Sequence, residues 1–184
     1  MARLTSENTE VLLIDFQEKI VPAMHNASEL IPCAKRLVQG CGILSLPMVV
    51  TRQYPKGLGD TVEELREHVA NATVYDKKTF SCLGTDEIRA HFSNSSRANV
   101  LIAGIETHIC VLQTALDLLS LGKNVSLAVD GTGSRTRLDM TTALERLWRM
   151  GVTPTTVESF LFETLETSSS PGFKEISKLV TGRL

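Results

Sequence analysis

Val11-Leu12-Leu13-Ile14-Asp15 and Val100-Leu101-Ile102-Ala103-Gly104 are the stretches from which the fold follows. In each, four apolar residues run without a break into a residue of a different kind. A strand wet on one face alternates apolar and polar positions. A short unbroken apolar run bounded this way is what a strand buried on both faces requires, as in a parallel sheet.

Working outward from these two runs, helical and strand-like segments alternate. Residues 28–46 place Leu30, Ala34, Leu37, Val38 and Cys41 at helical spacing, and Met48-Val49-Val50 follows as a strand. A loop rich in Pro and Gly covers 53–60, and a polar helix is predicted over 61–70, with Thr61 and Glu64 as a capping box. Residues 73–75 read as a third strand and 86–92 as a short helix. After Gly104 comes a helix carrying Ile109, Leu112, Ala115, Leu116 and Leu119, stopped at Gly122. A fifth strand over 125–129 ends at Asp130, a helix spans 138–150, a sixth strand 155–157, and a last helix 171–180. Strands alternating with helices predict a three-layer α/β/α, Rossmann-like fold, with a six-stranded, mainly parallel sheet covered on both faces. No repeat, low-complexity segment or long linker divides the chain, so residues 1–184 read as one domain.

Composition narrows the function. The chain has 42% hydrophobic and 22% charged residues and a formal net charge of -2. That balance lacks the basic footprint of a nucleic-acid binder, and only 5% aromatic residues leave few platforms for stacked bases. Cys33 and Cys41 lie on one predicted helix about 12 Å apart, too far for a disulfide. No Cys-x-x-Cys pair or zinc spacing involves Cys82 or Cys110. Residues 1–8 show no apolar signal core, and no run approaches the ~20 apolar residues of a membrane helix. A reduced, cytoplasmic protein is expected. Gly182-Arg183-Leu184 is a weak match to a peroxisomal or glycosomal address.

In open parallel sheets the ligand sits beyond the C-terminal ends of the strands. Asp15 ends the first strand there, Lys77 and Lys78 follow the third, and Cys110 lies just past the fourth, in the expected first helical turn. A helix N-terminus and a nearby lysine both favour a thiolate, so a lowered Cys110 pKa is expected, with Asp15 able to carry the thiol proton. Each residue also has an ordinary role: Asp as a turn former, Lys as solvated surface, Cys as a small core residue.

The motifs resolve that choice. Gly104-Ile105-Glu106-Thr107-His108-Ile109-Cys110-Val111 resembles the nucleophile segment of isochorismatase-like hydrolases. Leu13-Ile14-Asp15-Phe16-Gln17 resembles that family's first strand with its Asp-x-Gln signature. Asp76-Lys77-Lys78-Thr79-Phe80-Ser81 resembles its lysine segment, and Asp130-Gly131 with Ser134-Arg135 its next strand end. Thr51-Arg52-Gln53-Tyr54-Pro55-Lys56-Gly57-Leu58-Gly59 is similar to the isochorismatase domain-containing branch. The similarity runs from about residue 9 to residue 180.

The resemblance implies a Cys-Asp-Lys triad: Cys110 attacks a carbonyl, Asp15 accepts and returns the proton, and Lys77 supports their charges. Lys78 is the rival, since one residue of slip on a strand changes the face. The resemblance further implies a cis Ile105–Glu106 peptide and an oxyanion hole from the Glu106 and Cys110 N–H groups. The implied reaction is hydrolysis of a small amide or related acyl compound, at carbon–nitrogen bonds other than peptide bonds, through a thioester. Phe16, Gln53, Tyr54 and Thr107 are placed by position near the substrate. The metal-binding Asp-x-His of the superfamily's nicotinamidases is missing from 51–55, so no metal and no cofactor is implied. The expected partners are a small-molecule substrate and further copies of the chain in a homo-oligomer, with no nucleic acid and no membrane. His108 is expected to be structural, His25, His68 and His91 to lie on the surface, and Cys82 to be buried and apolar. The competing readings are a non-catalytic scaffold and a thiol sensor at Cys110.

Overall fold

A computed structural model describes residues 3–182. The chain runs β1 (Thr9–Ile14), α1 (Ala27–Ile43), β2 (Met48–Gln53), α2 (Pro55–Leu58), α3 (Glu63–Arg66), β3 (Thr73–Lys77), α4 (Asp86–Asn94) and β4 (Asn99–Ile105). It continues through α5 (Leu112–Ser120), β5 (Asn124–Gly133), α6 (Arg137–Arg149), β6 (Thr153–Thr155), α7 (Val157–Leu165) and α8 (Phe173–Thr181). The six strands form one sheet in the order β3-β2-β1-β4-β5-β6, and every pairing is parallel. The order reverses between β1 and β4, and a crevice opens at such a switch point.

The period-two geometry of a strand divides each apolar run between two cores. Val11 and Leu13 join Leu101, Ala103 and Ile105 under α1, α7 and α8, with Leu37, Phe160 and Ile176 among their partners. Leu12 and Ile14 join Val100 and Ile102 on the other face, against Phe92, Val111, Leu118 and Leu147 from α4 to α6. All six residues of β1 and all seven of β4 are buried. The three-layer α/β/α fold is therefore present, with both central strands hidden on both faces.

Several sequence expectations need correction. Residues 61–70 hold only the four-residue α3, and its N-cap is Val62, with no side-chain cap. Thr61 instead bridges Gln17 in an antiparallel contact. The fifth strand does not stop at Asp130 but continues to Gly133, through a register shift against β4. The sixth strand is Thr153–Thr155, and Val157 opens α7 rather than closing a strand. The Thr156 side chain accepts a hydrogen bond from Ser159 N, and Asp130 Oδ1 accepts one from Val157 N at 2.9 Å, so both satisfy free donors at the start of α7. No helix among the described residues is long and apolar enough to cross a membrane. Residues 183 and 184 of the C-terminal address lie outside the described residues.

Candidate active site

Asp15 leaves β1 in the left-handed region (φ 57°), a conformation aspartate tolerates better than most residues. Its N–H donates to Thr51 O at 3.1 Å, and its carbonyl accepts Gln17 N at 2.7 Å. β4 runs close beside this turn, with Gly104 paired to Ile14. At Gly104 a Cβ would lie 2.5 Å from Ile14 O and 2.8 Å from Ile14 Cα, so only glycine fits beside the end of β1.

The Asp15 carboxylate is 1% exposed and is held on both oxygens. Thr51 Oγ1 donates to Oδ1 at 2.9 Å, and Lys77 Nζ donates to Oδ2 at 2.6 Å. Lys77 ends β3 with a fully buried side chain. Its Nζ also donates to Gln53 Oε1 at 2.7 Å and faces the Phe80 and Thr79 carbonyls at 3.2 and 3.3 Å. Burial alone lowers the Lys77 pKa. The charge of Asp15 and its hydrogen bond outweigh it, so the net direction is up and the ammonium persists. Lys78 is exposed and enters only through its carbonyl, which accepts from Gln53 Nε2 at 2.8 Å. The structure thus brings Lys77, and not Lys78, to Asp15.

Cys110 completes the cluster from the far side of the switch point. It is buried, in a π-helical turn spanning Thr107–Val111, and α5 begins only at Leu112. The thiol is pushed up to about 12, first by burial, then by the charge of Asp15 and a hydrogen bond to it, with Lys77 pulling the other way. This reverses the expected lowering. A sequence reveals the helix start and the lysine, but it does not reveal how thoroughly a sulfur is desolvated.

The other expected residues scatter. Gln53 touches Lys77, as described. Phe16 is buried in the α1-side core. Tyr54 is half-exposed and, with Lys77 and Lys78, lines a cavity of about 670 Å³. Thr107 is wholly buried and meets Thr132 Oγ1 at 2.9 Å; since Thr132 donates to Gly104 O, Thr107 is the donor. The Ile105–Glu106 peptide is cis. The Glu106 carbonyl accepts Ile109 N and Val111 N, shaping the turn that carries Cys110, while its carboxylate holds Arg135 Nε at 2.8 Å.

His108 Nδ1 meets Ser134 Oγ at 3.0 Å, His25 is exposed, and His68 is half-buried. His91 is not free surface, because its Nε2 contacts the buried Glu10 at 2.9 Å. Among the described residues no three His, Cys, Asp or Glu side chains gather as a metal site would need. All four cysteines are free thiols.

Three residues that the motifs named without a role prove to be supports. Gln17 takes Gln53 N on its Oε1 and gives its Nε2 to Gln53 O and Gly59 O, sewing β2 and the following loop to β1. Ser81 donates to Asp117 Oδ2 at 2.6 Å, pinning the lysine loop to α5. Thr51 lies one residue past the expected strand 48–50 but inside the observed β2, where it pairs with Ile14, a register that no local pattern signals.

A carboxylate and an ammonium from two strand ends and a thiol from the turn after a third thus share one buried point in a parallel α/β sheet, an arrangement suited to acyl chemistry. A family model described as the isochorismatase domain matches residues 9–159. Isochorismatase domain-containing protein 1 of Danio rerio is 37% identical over 180 residues, covering 98% of this chain and 63% of its own, so the chain spans less than two thirds of that relative. Isochorismatase domain-containing protein 2 of the same fish is 36% identical over 181 residues, covering 98% of this chain and 90% of its own. A solved Caenorhabditis elegans structure described as MAR1 ribonuclease is 38% identical with a TM-score of 0.92, covering 98% of this chain and 93% of that one. The chain belongs to the isochorismatase family.

Proposed function

We propose that this protein is a cysteine hydrolase of a small amide or related acyl compound, with Cys110, Asp15 and Lys77 as its reacting groups. The observation that carries the reading is the wholly buried Lys77–Asp15 contact at 2.6 Å beside the Cys110 thiol. Burying an ion pair is costly, and a scaffold has no need of one at its strand ends.

Cys110 rests as a thiol, so its proton passes to Asp15 as sulfur attacks the carbonyl carbon. The oxygen gathers negative charge, which the Glu106 and Cys110 N–H groups receive. The tetrahedral adduct collapses, Asp15 protonates the departing nitrogen, and an acyl thioester remains. Water then gives a proton to Asp15 as it adds to the thioester, and the returning proton restores the Cys110 thiol and releases the acid. Lys77 stays protonated throughout and keeps Asp15 anionic between steps. By the family resemblance the protein works as a homo-oligomer, without metal or cofactor, and its four free cysteines suit the reduced cytoplasm.

RNA cleavage, which the description of the C. elegans relative raises, fits less well. Asp15, Lys77 and Cys110 are 1%, 3% and 7% exposed, a setting for a small carbonyl rather than a polynucleotide. The test is a panel of small amides and p-nitrophenyl esters, with a labelled RNA beside it, followed by intact-protein mass spectrometry. An acyl adduct on Cys110, lost in Cys110→Ala and slowed at least a hundredfold in Asp15→Asn, is the expected result. Turnover of any of these compounds that survives Cys110→Ala overturns the reading.

A further inference from the structure

Behind the Asp15 carboxylate stands a second buried thiol–hydroxyl pair with no part in the reaction written above. Cys82 is wholly buried, and its sulfur lies 3.8 Å from Thr51 Oγ1 as donor. Thr51 is also wholly buried, and its own proton goes to Asp15 Oδ1 at 2.9 Å. A hydroxyl has one proton to give. With Cys82 donating to it from behind, the Thr51 proton is committed to Asp15. The backbone tightens the arrangement, because Asp15 N donates to Thr51 O and Ile14 pairs with Thr51 across the β1–β2 ladder.

We propose that Thr51 is a positioning residue that sets the orientation of Asp15 and the charge it presents to Cys110, a role that rests on the reading of Asp15 as the proton carrier for Cys110. With Oδ1 tied to β2 and Oδ2 to Lys77, the carboxylate does not rotate, and the lone pair that faces Cys110 stays there. The donated hydrogen bond also draws charge from the carboxylate. A carboxylate that accepts fewer hydrogen bonds holds a proton more tightly and raises a neighbouring thiol further. Thr51 therefore restrains the effect of Asp15 on Cys110.

Thr51→Val keeps the branched shape and removes the hydroxyl, Thr51→Ser keeps the hydroxyl, and Thr51→Ala serves should the valine protein fail to fold. The measurement is the pH profile of Cys110 labelling by iodoacetamide, read by peptide mass spectrometry, with a thermal melt of each variant. Thr51→Val or Thr51→Ala is expected to slow labelling at pH 9 about tenfold and to move the profile upward by about one pH unit, while Thr51→Ser stays within about threefold of the parent. A purely structural role would lower the melting temperature and leave the profile in place. A Thr51→Val or Thr51→Ala profile that coincides with the parent's, or a Thr51→Ser profile that follows theirs, overturns the proposal. Labelling needs no turnover, so a parent protein that no ester acylates would sink the hydrolase reading and leave this test intact.

Discussion

Lys77→Met leaves the Asp15 carboxylate buried with its cation gone. At the 2.6 Å separation of Nζ and Oδ2, unit charges in a medium of effective dielectric about 20 attract by roughly 6 kcal/mol, which offsets most of the cost of burying both. Without the ammonium, Asp15 keeps its burial cost and only the Thr51 hydroxyl and the Cys110 thiol as donors. Gln53 Oε1 loses its partner as well. Breaking such a pair from one side costs about 3–5 kcal/mol. For a urea slope near 2–3 kcal/mol/M, the unfolding midpoint at pH 8 should fall by roughly 1–2.5 M. Asp15→Asn combined with Lys77→Met should recover much of the loss, because neither charge is then buried alone. The assay is urea unfolding followed by circular dichroism for the parent, both single variants and the double variant at pH 8. A single-variant cost below about 1 kcal/mol at pH 8, or single costs that simply add, would refute the reasoning.

Iodoacetamide should label Cys110 slowly at pH 8 and ever faster toward pH 12. Asp15→Asn removes two of the causes that raise the thiol and should speed labelling at pH 8 about tenfold, whereas a parent midpoint below pH 8 would contradict the burial described here. Alkali should destabilise the protein. Cys82 is raised from 9.0 to about 11, so its neutral thiol supports the fold fully below pH 9, and that support, roughly 3 kcal/mol, is lost as the pH climbs to 11. Urea midpoints at pH 8 and pH 11 for the parent and Cys82→Ala measure it, and the variant should show the shallower fall. Gly104→Ala forces β4 away from Ile14 and should cost about 1–3 kcal/mol, lowering the melting temperature by several degrees; a variant as stable as the parent would show that β1 and β4 can part at no cost.

What the sequence disclosed and what it hid have physical reasons. β1 and β4 could be read because burial on both faces leaves no polar position in either run. Asp15 and Cys110 could be placed because a parallel sheet sends its strand ends to one side. Thr156 and Val157 misled because β-branched residues suit a strand, yet Thr156 caps α7 and Val157 opens it. The continuation of β5 through Gly131-Thr132-Gly133 depends on a register shift against β4, which no local pattern signals. Lys77 and Lys78 differ only in the direction each side chain takes, and that was settled by the pairing of Gln53 with Lys77 across β2 and β3. The direction of the Cys110 shift lay outside any sequence argument, because the decisive cause is how much water the fold removes.

The strand order carries a consequence for biosynthesis. β1 is made first and ends up in the middle, and Thr9 must wait for Asn99, about ninety residues later, before its second ladder can close. At roughly 5–20 residues per second, an apolar strand with one unpaired edge persists for several seconds on each nascent chain. Cys110 sits just past that late-arriving strand, so Asp15, Lys77 and Cys110 come together only after the most exposed stage of folding has ended.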